Sequence, residues 1–180
     1  MFAGLPLVAL WAFAEAVLLF IVADVPISAM ALRFGWRAGW RAASIASVAA
    51  ALGGLGVMVW ARIDPSGCRE AILALPGISE PMAVQARMDW IRSGWQAMLA
   101  GSLSGVPYKL YAMAAGMQGS DPGSFFVGSI AARLPRFLMI AALFAVIGKV
   151  LRPRLPGWLI AALFVCGWCA FYTWYFTAMA

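Results

Sequence analysis

The chain has 180 residues, of which 64% are hydrophobic and 11% charged, with a mean hydropathy of +0.90. Soluble domains sit nearer ~45–50% apolar and ~25% charged, so this surplus excludes an ordinary soluble enzyme, a disordered chain and a secreted disulfide scaffold. What remains is one domain over residues 1–180, an all-α, multi-pass membrane bundle, whose net charge of +6 belongs in cytoplasmic loops beside anionic headgroups.

In chain order, the first apolar region runs from Leu5 to Leu32, holds Glu15 and Asp24, and is broken in its second half by Pro26. It lacks a basic n-region and carries Glu15 within its apolar stretch, so it does not read as a cleavable signal. A basic loop follows, Arg33 to Arg41, with Trp36 and Trp40. Ala43 to Ala61 gives 19 uncharged residues, enough to cross a hydrocarbon core of ~30 Å. Its Ala49/Gly53 and Ala50/Gly54 pairs let another backbone, even that of a second copy, come close.

Residues Arg62 to Arg92 form the one wet stretch. Within it Val84, Met88, Ile91 and Trp95 share a helical face, and Ser79 with Pro81 marks the helix start. This face lies on the membrane surface or packs on the protein's own helices. Met98 to Met117 is apolar at both ends and interrupted by Gly101-Ser-Leu-Ser-Gly105-Val-Pro107-Tyr-Lys109. After a loop with Ser124 as candidate cap, Phe125 to Val150 carries Arg133, Pro135 and Arg136. A second basic loop, Lys149 to Arg154, leads to the final apolar run, Gly157 to Phe176, within a last membrane helix over 157–177. Its Trp158, Tyr172, Trp174 and Tyr175 suit headgroup belts.

The two basic loops should share the cytoplasmic side, so an even number of crossings separates them. Ala43–Ala61 and the helix ending at Val150 supply two. Met98–Met117 must then enter and return on its own side, its irregular centre satisfied by protein or water. Leu5–Leu32 either returns likewise from the opposite face or spans outright. If it returns, the chain is two related halves, each a broken segment followed by a spanning helix.

No His is present, which removes imidazole metal ligands, Ser-His triads and imidazole relays. Neither a metal nor a cofactor is expected. Cys166-Gly-Trp-Cys169 has redox C-x-x-C spelling, but it sits inside an uncharged helix with no βαβ context and reads as packing residues. The ionisable groups within apolar segments are Glu15, Asp24, Lys109, Arg133 and Arg136. Each costs about 2.5–3.5 kcal/mol at a helix centre, which favours an inward cavity where acids meet bases. There, bases could hold a phosphate or anionic headgroup while a carboxylate handles protons or balances charge. Alternatively the set is a structural ion-pair network, and Arg133 and Arg136 merely snorkel to an interface.

These residues resemble the DedA family of membrane proteins, also called the VTT or SNARE-associated Golgi protein family, and within it the small bacterial YqaA-like branch. Phe13-Ala-Glu15-Ala16 is similar to its early Phe-Ala-Glu-Ser/Ala stretch, and Asp24 falls where a family acid follows a proline-rich turn. Gly53-Gly54-Leu-Gly56 resembles its glycine-rich spanning helix. Gly105-Val-Pro107-Tyr108-Lys109 with Gly116 resembles its second re-entrant loop, and Ser129 with Arg133-Leu-Pro-Arg136-Phe137 the pattern after it. The chain departs from the family at Phe20, Val22 and Ala23, which replace prolines, with Pro26 later, and at Ala132, where a Gly is usual. The likeness covers about residues 10–150.

The resemblance implies a bacterial inner-membrane protein with one or two re-entrant broken helices, which flips or scrambles phospholipid or polyprenyl-phosphate headgroups. Proton coupling and homo-oligomers are compatible with it. Carried over, Pro107, Tyr108, Lys109, Arg133 and Arg136 would meet the headgroup, and Glu15 and Asp24 would couple protons or balance charge. A non-transporting structural or assembly factor for the envelope is the alternative. An enzyme acting on lipid phosphates would need a nucleophile or metal cluster, so none is expected.

Overall fold

The computed structural model describes residues 4–18 and 21–179; Phe20, at the first family departure, lies outside the described residues. They form helices and connecting turns: α1 (Leu5–Val17), α2 (Asp24–Phe34), α3 (Trp36–Ile63), α4 (Pro65–Leu73), α5 (Glu80–Ser93), α6 (Trp95–Ser104), α7 (Tyr108–Met117), α8 (Pro122–Leu151) and α9 (Gly157–Met179). Three of these, α3, α8 and α9, are long and apolar enough to cross a membrane. The fold is all-α and its composition is that of a membrane protein.

The apolar regions with internal breaks become pairs of short helices. α1 and α2 have 13 and 11 residues, and α6 and α7 have 10 each. At ~1.5 Å per residue such pieces reach about half of a ~30 Å hydrocarbon core. The α6–α7 break is set by Gly105, whose φ of 88° closes α6 in the left-handed region, and by Pro107 at the start of α7. In the α1–α2 connection the Trp11 indole donates to the Ile21 carbonyl at 3.0 Å.

Contacts along α3 and α8 give the direction of each piece. The two long helices run antiparallel. At one end Arg152 donates to the Arg33 carbonyl, so the two basic stretches meet as the charge pattern requires, although Arg33–Arg41 is not a loop but the α2–α3 junction, broken at Gly35 with Trp36–Arg41 already inside α3. At the other end Arg62 donates to the Ser120 carbonyl. α1 begins with Gly4 against Met30, near the basic end, and reaches mid-bundle where Phe13 and Ala16 pack on Gly53. α2 then returns to the basic end, with Leu32 on Gly148. α6 starts from the Arg62 end, with Trp95 against Gly128, and α7 returns there, with Gly116 on the Met58 carbonyl. Both broken segments are therefore re-entrant hairpins from opposite ends of the α3–α8 pair. Of the two courses open to residues 5–32, the structure takes the return. The halves also interlock: α1 packs along α3 and α6 along α8, while α2 reaches across to α8 and α7 to α3.

Packing is inverted relative to a soluble bundle. The buried face of α3 is dominated by Ala38, Ala42, Ala43, Ala46 and Ala50, whereas Val48, Leu52 and Val59 are exposed. Small residues inside and large apolar ones outside suit helices that meet backbone to backbone in a lipid solvent. α5 follows the same logic. Ala83, Ala86 and Trp90 are its buried residues, and Val84, Met88 and Ile91 face outward, whereas Trp95, beyond the Gly94 break, is half-exposed and packs on Gly128. Its large apolar face thus does not pack on the protein's own helices. One sequence expectation is corrected: α8 is capped by Asp121, whose carboxylate accepts the Ser124 N–H at 2.7 Å, so Ser124 lies inside the helix rather than capping it. Pro122 fills the first helical position, where its missing N–H costs nothing.

Candidate functional site

The hairpin tips meet halfway along the bundle. Glu15 lies two residues before the end of α1, Asp24 begins α2, and Tyr108 and Lys109 begin α7. Arg133 and Arg136 sit on the facing stretch of α8. These six residues, with Pro107, border one cavity of about 150 Å³, room for several waters or one small polar headgroup. The sequence thus nominated seven residues that the fold brings together. Glu15, Asp24, Lys109 and Arg133 are buried, while the Arg136 side chain is 31% exposed and lies toward the mouth.

The acids do not both meet Lys109. Glu15 accepts from Arg133 at 2.5 Å and Asp24 from Arg136 at 2.5 Å, both bonds joining the first hairpin to α8. Neither arginine snorkels outward. Arg136 also donates to the Ser102 carbonyl at 2.5 Å, tying α8 to the last turn of α6. The Arg133 guanidinium lies 4.6 Å from the Tyr108 ring centre and 5.0 Å from that of Phe137, a cationic plate between two aromatic faces. Tyr108 donates to the Ser129 hydroxyl at 2.8 Å, which fixes the phenol beneath that plate.

Three bases and two acids border the cavity, a formal charge of +1 with Lys109 protonated. Two buried polar atoms of these residues, Asp24 Oδ1 and Arg133 Nε, have no hydrogen-bond partner among the described residues. Such atoms call for water or ligand, because an unmet buried donor or acceptor costs ~1–3 kcal/mol. The cavity offers an occupant a mildly cationic field.

The sequence missed the cover of the site. Phe171, Tyr172 and Tyr175 of α9 border the cavity, and the Tyr172 hydroxyl accepts the Val22 N–H of the first hairpin tip at 2.9 Å. These aromatics read as interface anchors because their depth depends on how α9 sits against the hairpins. The α4–α5 turn also contributes Leu75 and Ile78. Cys166 and Cys169 are exposed free thiols on α9, and Cys68 is a buried free thiol. Comparison with known protein families, curated proteins and solved structures returns no match.

Proposed function

We propose that this chain is a lipid-translocating protein of the DedA type in a bacterial inner membrane. In this reading the cavity between the hairpin tips takes the phosphate of a phospholipid or polyprenyl-phosphate headgroup while the tails stay in lipid. The observation that carries it is the gathering of all five ionisable groups from the apolar segments around one cavity, with bases in excess. Lys109 and the arginine forks supply the charge and paired donors that suit phosphate. Glu15 and Asp24 hold the arginines in place when empty and exchange them, or take up protons, when a headgroup arrives. The test is leaflet exchange of a fluorescent phospholipid in proteoliposomes. Wild-type protein accelerates exchange and Lys109→Ala removes the acceleration; unchanged exchange in Lys109→Ala sinks the site. If a carboxylate handles protons, Glu15→Gln shifts the pH profile of exchange.

A second reading is supported by the two arginine–carboxylate bonds, which join α8 to the first hairpin. They would serve a non-transporting assembly factor simply by fixing helix packing. Purification in a fixed complex, with no leaflet exchange from the isolated chain, would favour it.

A further inference from the structure

A second depression, of about 480 Å³, lies on the outer side of the α6–α7 hairpin, between it and α5. Its walls set polar side chains, Gln85, Asp89 and Arg92 from α5 with Gln96 and Ser104 from α6, among Ala97, Ala100 and Val106. Gln85 donates to Asp89 at 2.9 Å, which leaves this face hydrophilic beside the outward apolar face of the same helix. One residue, Val106, borders both this groove and the charged cavity. It occupies the α6–α7 turn, directly between the left-handed Gly105 and Pro107.

The turn is closed by a left-handed glycine cap with space on its outer side. The N–H groups of Gly105 and Val106 both donate to one acceptor, the Gly101 carbonyl, at 3.0 and 3.1 Å. A side chain added at Gly105 would meet nothing within 4 Å, so there is open space beside the backbone. Gly101, the shared anchor, packs directly on the Tyr111 ring, which holds the turn to α7.

We infer that Val106 is the partition between a polar vestibule and the charged cavity, and that the phosphate-bearing headgroup reaches the cavity through this vestibule. This rests on the transport reading. The polar groove offers a charged group hydrogen-bonding walls. The other flank is the more apolar: α9 presents Leu163, Val165 and Trp174 outward and closes on the cavity with the rings of Phe171, Tyr172 and Tyr175. The headgroup therefore passes by way of α5 and α6, and the α9 flank is left to the tails.

The test places a reporter thiol in the cavity. Full-length protein carrying Ser102→Cys, with Cys166→Ser and Cys169→Ser, is put into liposomes and treated with a sulfonate methanethiosulfonate, an anionic water-soluble probe. Val106→Ala should raise the labelling rate several-fold and Val106→Phe should lower it several-fold. Labelling indifferent to Val106 overturns the partition. Phospholipid exchange is measured on the same samples. Labelling that follows Val106 with no exchange in any sample keeps the partition and removes the transport reading. Exchange at the wild-type rate with labelling indifferent to Val106 does the reverse.

Discussion

The two re-entrant hairpins have similar shapes but are held in different ways. The α1–α2 hairpin brings carboxylates to mid-bundle, and both are engaged by arginines of α8. Its second helix packs on α3 and on α8 alike. The α6–α7 hairpin brings Tyr108 and Lys109, and its second helix packs on α3, α4 and α5. The first is clamped by long-range ion pairs to the helix of the other half. The second breaks at the left-handed Gly105, next to Val106, which borders both hollows.

The largest break of that contrast is Arg133→Met. It strands Glu15 in a buried wall, and removing one partner of such a pair costs about 3–5 kcal/mol. Thermal unfolding in detergent should show a large loss of Tm. Adding Glu15→Gln should recover most of it, because the uncompensated charge is gone. A double variant no more stable than the single would mean that Glu15 is stabilised by something other than Arg133. Arg136→Met should cost less, since the Arg136 side chain is 31% exposed and water can reach Asp24 when it leaves.

Next in size is Gly116→Ala in the second hairpin. The added methyl runs into the Met58 carbonyl and the Ala61 side chain, backbone and near-backbone atoms that cannot swing aside. Overpacking of this kind costs about 1–3 kcal/mol. Gly105→Ala meets open space, yet its φ of 88° sets a penalty of roughly 1–2 kcal/mol for an L side chain. Chemical denaturation should rank Gly116→Ala as the more harmful of the two. The reverse order would mean that α7 can move off α3 more easily than the α6–α7 turn can adjust.

How much of this was legible in the sequence follows from where the physics is local. An ionisable group in an apolar run is costly wherever it occurs, so Glu15, Asp24 and Lys109 stood out unaided. Gly105 and Pro107 announce a break without any tertiary knowledge. The charge of the basic stretches placed them on one side, and the Arg152–Arg33 contact agrees. Partner choice was not legible. Arg133 and Arg136 sit three apart on a helix whose rotation about its axis the sequence leaves open, so anchoring at an interface fitted as well as a cavity. The depth of Tyr172 was hidden for the same reason: an aromatic near the end of α9 meets a hairpin tip only because that tip stops at mid-bundle. The α5 face showed its amphipathic spacing but not its sense. In lipid the small residues Ala83 and Ala86 pack inward while Val84 and Met88 face out, a choice that periodicity alone does not make.

The smallest effect concerns the support under the second hairpin. α4 packs between α3 and α7 and carries Cys68, fully buried. Burial, reinforced by the Asp64 carboxylate, pushes its thiol up from 9.0 to about 11. At neutral pH it is therefore the protonated, unreactive form. A folded-state value above the unfolded one favours the fold while the thiol is neutral. That contribution is whole below about pH 9 and is lost as pH rises toward about 11. Maleimide at pH 7 should leave Cys68 unmodified until denaturant opens the chain. Raising the pH from 8 to 11 should lower the Tm of wild-type protein more than that of Cys68→Ala, which has no thiol to ionise. If the two lose equal stability over that range, Cys68 is not the titrating support of α4 against α7.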